Sequence, residues 1–195
     1  MLGEKIDMSN GKINNNIGTI KIVGKIYSIN VNRKKGVKKN QVKSAVINEL
    51  GVEGDGHAGK WHRQVSLLSN ESIIRFNEKG NISAKPGDFG ENITTEGIDL
   101  KKLKIGDIIL FSVDIRKKVI PENKLVNFKS VNKKAPRDSV ILEVTQLGKE
   151  CVKPCRIYYQ VGSCIMPEEG IFCKVKKPGS IKVGNNIFII EEIAD

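Results

Sequence analysis

Short apolar runs separated by glycine, proline and asparagine dominate this chain, and most alternate in the manner of strands. Ile20, Ile22, Ile26 and Val31 predict a strand over Thr19–Val31, and Val42, Val46 and Ile47 predict another over Val42–Ile47. Gln64–Ser69 reads as a buried strand. Asn70 is placed to cap a helix over Glu71–Glu78, ended by Gly80, with Ile73, Ile74 and Phe76 on its apolar face. Ile93–Leu103 continues as strand and turn, and Ser139–Leu147 is a strand carried by Val140, Leu142 and Val144. Two turns echo each other: Lys104-Ile105-Gly106-Asp107 leads into Ile108–Val113, and Lys182-Val183-Gly184-Asn185 leads into Ile187–Ile190. Many short strands, glycine turns and one or two helices predict a mainly β architecture, a barrel or a sandwich.

Other segments resist that pattern. Met1–Gly18 is polar and Asn-rich and is read as a flexible leader over residues 1–18, with one domain over 19–195. Residues 114–138 form a basic excursion within that domain, with a hairpin expected at Leu125–Phe128. Gly51–Gly59 reads GVEGDGHAG. Four glycines in nine residues oppose helix and strand and allow close backbone approach to an anion. Pro86–Asn92 reads PGDFGEN, a second glycine-rich turn carrying Asp88 and Glu91.

A formal charge of +11 favours acidic partners such as phosphates, nucleic acid or an anionic cofactor. With only 5% aromatic residues there is little material for a base-stacking surface, which argues against nucleic acid. No apolar stretch approaches membrane-spanning length and no secretory signal is legible, so the expectation is a cytoplasmic protein without a membrane partner. In that compartment four cysteines are expected as free, catalytic or metal-bound thiols rather than disulfides.

Three of those cysteines fall in Leu147–Gly170, read as a loop, a short helix and a second loop that present a thiol. Lys149, Lys153 and Arg156 flank Cys151 and Cys155 and favour the thiolate, while Glu150 opposes them. The readings open for this pair are a nucleophile, a sulfur carrier, a metal ligand, or partly buried inert thiols. The spacing Cys151-x3-Cys155-x8-Cys164-x8-Cys173 has one close pair where zinc ribbons have two. Arg63 beside the first glycine loop could fork onto a phosphate or carboxylate, or form a surface ion pair. His57 is either a ligand contact or a loop anchor, and His62 a ligand contact or a strand-edge residue packed by Trp61. Asp55 is read as bonding its own turn, and Glu91 and Asn92 as facing a pocket.

GVEGDGHAGKWHRQVSLLSNESI from Gly51, PGDFGENITTEGIDL from Pro86 and LGKECVKPCRIYYQVGSCIMPEEGIF from Leu147 together resemble the MOSC domain, named after the C-terminal domain of molybdenum cofactor sulfurase. The likeness is to small stand-alone bacterial members. It implies a β-barrel with a few short helices, and handling of the molybdenum cofactor (molybdopterin) or of sulfur destined for it. It implies a reactive cysteine, Cys155 or Cys151, that carries a persulfide or ligates molybdenum, with the Pro-Cys-x-Ile context favouring Cys155 as the metal ligand. Gly54, Asp55, Gly56, His57, Gly59, His62, Arg63, Glu91 and Asn92 then become cofactor-binding candidates. The activities implied are sulfur transfer or molybdenum-dependent reduction, with non-catalytic cofactor carriage as the alternative and nucleic-acid binding last. A cysteine desulfurase or a molybdoenzyme is the implied partner, and no pyridoxal phosphate is expected in this chain. Glu168 stands where similar sequences carry a basic residue, Asn185 replaces an Asp, and residues 114–138 make a longer excursion than usual.

Overall fold

The computed structural model describes residues 17–112, 126–127, 139–150, 154 and 156–192. The chain opens on a long strand, β1 (Ile17–Val31), which extends the expected one by two residues. The strand expected over Val42–Ile47 is two: β2 (Asn40–Val42) pairs with β1, whereas β3 (Ser44–Asn48) turns away into a second sheet. A two-residue strand, β4 (Gly51–Val52), starts the glycine loop and pairs with β3. Then come β5 (Val65–Ser69), helix α1 (Asn70–Gly80), β6 (Ile93–Glu96), a 3-10 turn at Leu100–Lys102 and β7 (Ile108–Ser112). Val126–Asn127 is β8, and it pairs with Ile17 and Gly18 of β1; the rest of the hairpin expected at Leu125–Phe128 lies outside the described residues. The last elements are β9 (Val140–Leu147), α2 (Arg156–Val161), α3 (Met166–Glu169), β10 (Ile171–Lys177), β11 (Gly179–Lys182) and β12 (Asn186–Glu192).

Seven of these strands close on themselves in the order β12-β7-β9-β10-β5-β6-β1, and β1 returns to β12. All neighbours are antiparallel except β5 and β6, which α1 connects in parallel. Closure removes the unpaired edges that an open sheet would offer to solvent. The expected β-barrel with a few short helices is the observed fold.

Alternation along the strands separates two cores. Val65, Leu67, Ile109, Phe111, Leu142, Val144, Ile171 and Cys173 fill the barrel. Leu68 and Phe172, on the opposite faces of the same strands, pack outside it with Ile73, Phe76, Ile157, Ile165 and Met166. β5 is therefore buried on both faces, with Val65 and Leu67 turned into the barrel and Leu68 into the outer cluster.

Two details of α1 differ from expectation. Ser69, not Asn70, is the N-cap, because its hydroxyl accepts from the Ser72 amide at 3.0 Å. The helix closes on Asn81 in the left-handed conformation, with φ at 47°, one residue beyond the expected glycine. Ile73 and Phe76 face the core, but Ile74 is turned to solvent, since consecutive residues lie about 100° apart on a helix. The echoed turns match closely. The Lys104 amide donates to Asp107 Oδ2 at 2.8 Å and the Lys182 amide to Asn185 Oδ1 at 2.8 Å. Asn185 thus makes the same turn an aspartate makes, and the two strands that follow, β7 and β12, pair with each other.

Candidate functional site

The outer face of the barrel wall, not its interior, carries the cavity. Ser66 and Phe172 are cross-strand partners on β5 and β10, and both point outward. Around them loops and helices enclose a volume of about 580 Å³. Gly36, Val37 and Lys38 come from the turn after β1; His57, Trp61 and Arg63 from the glycine loop. Asp88, Phe89 and Gly90 come from the Pro-Gly turn, and Ile157, Cys164, Met166 and Pro167 from the helical layer. Lys149, Glu150 and Pro154 complete the lining.

Backbone chemistry fixes the loops that hold these groups. Gln64, buried beneath the glycine loop, donates to the carbonyls of Glu49 and Gly59 and accepts from the Val175 amide. Gly148 adopts φ of +65°, and a Cβ there would meet the Pro167 carbonyl oxygen at 2.1 Å. Only glycine fits that approach, and its amide donates to the Gly170 carbonyl at 2.7 Å. This contact sets Lys149 and Glu150 on the cavity wall. α3 is held in turn by Glu169, whose carboxylate takes Lys101 and Arg75 at 2.8 Å each and the Ser72 hydroxyl. Partial burial would raise the Glu169 carboxyl, but Lys101, Ser72 and Arg75 outweigh it and hold it below the usual carboxylate range.

Arg63 is the unusual member of the lining. Its guanidinium lies 4.8 Å from the Trp61 ring centroid and 5.9 Å from that of Phe172. Its Nε is shielded from solvent and has no hydrogen-bond partner among the described residues. A surface ion pair, one of the two sequence readings, is not made among the described residues. A planar cation packed on aromatic faces with an unmet donor is suited to an anion that brings its own acceptors. Lys38 and Lys149 add positive charge to the same wall, and Asp88 and Glu150 oppose it.

His57 occupies another part of the wall. Its ring Nδ1 lies 3.3 Å from Asp55 Oδ1, and its amide donates to the same oxygen at 2.9 Å. Asp55 also accepts from the Asn32 amide and from Lys39, whose Nζ lies 2.9 Å from Oδ1 and 2.8 Å from Oδ2. Burial alone would raise the Asp55 carboxyl, but the bonds from His57 and Lys39 prevail and hold it well below the usual range. Lys39 is also moved down, but there burial is what prevails: it lowers the ammonium more than Asp55 raises it.

Other sequence candidates sit elsewhere. Gly54, Gly56 and Gly59 shape the loop without lining the cavity, and Gly56 packs so closely that a Cβ would lie 2.5 Å from the Arg33 carbonyl oxygen. His62 is exposed and bonds Gln146 at 2.8 Å, outside the lining. Asn92 bridges to Ser66, whose hydroxyl and amide both donate to Asn92 Oδ1. Glu91 is fully buried behind the Pro-Gly turn, where its Oε1 accepts from Gly87, Thr94 and Asn30. Burial pushes its carboxyl up to about 7, against the hydrogen bonds and Lys39 that lower it. Glu168 is exposed on α3 and outside the lining, so the missing cation there does not bear on this wall. Cys173 lies inside the barrel, where burial pushes its thiol far up, which marks it as structural. Cys151 and Cys155 lie outside the described residues. Among the described residues no group of His, Cys, Asp and Glu could hold a metal ion, and no helix is long and apolar enough to cross a membrane.

Sequence reasoning missed Ser66, Phe89, Met166, Phe172 and the buried Lys39. The alternation of β5 and β10 could have placed Ser66 and Phe172 on one outer face, but nothing in the Lys-rich turn singles out Lys39.

A family model described as the MOSC domain matches residues 54–188. No curated relative matches the chain. Among solved structures, the YUAD protein from Bacillus subtilis superposes with a TM-score of 0.67 at 19% identity, covering 90% of this chain and 100% of that one. YiiM from Geobacillus stearothermophilus gives 0.57 at 17%, covering 86% and 75%. YiiM from Escherichia coli gives 0.53 at 17%, covering 88% and 72%. At such identities the likeness speaks for the fold.

Proposed function

From the premise that this chain belongs to the MOSC domain family, we propose that its outer-wall cavity binds the molybdenum cofactor and that a cysteine of the 151–155 segment engages it. One observation carries the reading: the guanidinium of Arg63, a residue of the cavity lining, packs on Trp61 and Phe172 and has a buried Nε without a hydrogen-bond partner among the described residues. The cofactor's phosphate supplies the acceptors that this donor lacks, and its ring system suits the apolar surface of Phe89, Met166 and Phe172. Lys149, Glu150, Pro154 and Ile157, on either side of positions 151–155 in the chain, line the same space, which supports a thiol of that segment; the Pro-Cys-x-Ile context favours Cys155, with Cys151 as its alternative. When bound, the cofactor supplies a redox-active, thiol-accepting metal. The chain's own part is to hold the anionic end through Arg63, Lys38 and Lys149, and to exclude water with its aromatic wall. A thiol of this segment then serves either as sulfur carrier or as metal ligand, with sulfur delivered by a separate desulfurase. The carrier reading, in which the chain holds the cofactor without chemistry, stands beside it.

Retention of molybdenum and pterin after incubation with released cofactor and gel filtration tests this. Arg63→Met is expected to weaken retention about 10–100-fold, the value of a charge-assisted hydrogen bond of roughly 1.5–3 kcal/mol. Loss of retention in Cys155→Ser supports ligation by that thiol, whereas equal retention supports the carrier reading. Full retention by Arg63→Met would remove the anion site from the proposal.

A further inference from the structure

We propose that His57 is the proton-transfer residue of this cavity, working through Nε2, and that Asp55 is its positioning residue, anchored by Lys39. The proposal deepens the binding reading above and rests on it. Five contacts converge on Asp55: the Asn32 and His57 amides, both Lys39 approaches and the His57 ring. An ionised carboxylate only accepts, so the ring nitrogen that faces it must be the one that carries hydrogen. A neutral His57 is therefore protonated on Nδ1, and the lone pair is left on Nε2. The amide and the ring of His57 share one carboxylate oxygen, and Trp61 Nε1 donates to the His57 carbonyl at 2.8 Å. Backbone and ring are both fixed, which a residue needs if it is to meet a bound molecule in one orientation. His57 lines the cavity with its side chain 26% exposed, and Nε2 has no partner among the described residues.

Lys39 completes the logic. Its side chain is fully buried and its charge offsets that of Asp55. The carboxylate orients the ring, and Nε2 is left to take a proton and give it back. The charged groups sharing the cavity wall are Lys38, Arg63 and Lys149, opposed by Asp88 and Glu150. An acidic O–H, N–H or S–H of the bound molecule passes its proton to Nε2 and keeps the bonding electron pair. The ring becomes imidazolium on Asp55, and the new negative charge is left in a cavity that also presents Arg63. The reverse step returns the proton from Nε2 to a basic atom. No oxidant or reductant is required.

The chain has two histidines and one tryptophan, so both rings and the Trp61 emission are read without ambiguity. The full-length protein, labelled with nitrogen-15, is followed by long-range proton–nitrogen NMR, with His62 as internal reference. Neutral His57 is expected as the Nδ1–H form, and Asp55→Asn is expected to convert it to a mixture with the Nε2–H form. Inorganic sulfate, a dianion that does not titrate near neutrality, is then added at constant pH while Trp61 fluorescence is recorded. In the wild type the protonated fraction of His57 should rise at least about twofold as sulfate binds, and in Arg63→Met it should stay constant. A wild-type ring protonated on Nε2 when neutral, or a Trp61 response with no change at His57, would overturn the proposal. A flat Trp61 signal fails the anion-binding reading instead, and the tautomer then decides the role of His57 alone.

Discussion

Glu91 and Asp55 are buried carboxyls of opposite habit, and their difference sets how the protein answers to pH. Asp55 is surrounded by donors and stays ionised, whereas Glu91 accepts on Oε1, and its buried Oε2 has no partner among the described residues. The folded Glu91 carboxyl titrates at about 7, above its ordinary 4.5, so the folded state holds the proton more tightly than the unfolded one. Its contribution is fully favourable below about 4.5 and is lost as pH rises through 7, a swing on the order of 3 kcal/mol. For Asp55 the sign is reversed: its stabilisation is present above the ordinary carboxylate range and is lost as pH falls below it. Stability should therefore peak on the acid side of neutrality. Glu91→Gln places an amide nitrogen where the protonated carboxyl holds its hydroxyl and keeps the Oε1 acceptor. Urea unfolding should show the wild type weakening between pH 5 and pH 8 while Glu91→Gln changes much less. A parallel decline in both proteins would assign the pH response to other groups.

At the scale of elements, the cavity depends on two short pieces held from outside the barrel. α3 brings Met166 and Pro167 to the lining and is tied to α1 and the 3-10 turn through Glu169. The chain before residue 150 reaches the same wall through Gly148, whose missing Cβ lets it touch Pro167. Gly148→Ala forces a side chain into backbone at a positive φ, so a loss of about 2 kcal/mol or more is expected in chemical denaturation. Glu169→Gln keeps the shape but weakens the charged contacts, and about 1 kcal/mol is expected because Arg75 and Lys101 are both more than half exposed. If Gly148→Ala unfolds at the wild-type urea concentration, the close approach does not hold the wall in solution. Much of this level was legible in the chain. The glycine turns, the paired Lys-x-Gly-Asx entries to β7 and β12 and the α1 segment all follow from local chemistry. Ile74 was misplaced because three apolar residues crowd one helical turn and only tertiary packing decides which faces inward. The split between β2 and β3 was hidden for a similar reason, since one apolar run serves two sheets.

For the whole molecule, what the sequence pattern could not show is which strands meet. Lys39 finds Asp55 only after β1 and the glycine loop have been brought together, and no spacing in the chain encodes that pairing. The same holds for closure: β1 meets β12 across nearly the full length of the chain, from Gly18 opposite Glu192 to Lys25 opposite Asn186. The barrel has no first or last strand, so none of the seven can fray from an edge without breaking two ladders. Strands outside the ring are different. β2 pairs on one side only, and β4 and β8 are two residues long. Native-state hydrogen exchange should therefore divide the amides into two classes. Bonded amides of β5, β7, β9, β10 and β12 should exchange with one common free energy that tracks global unfolding and falls with added urea. Those of β2, β4 and β8 should exchange through local openings with little urea dependence. Early exchange confined to β12 would show that the β1–β12 seam opens by itself, and the barrel would then behave as a curled sheet with a latch rather than a closed ring.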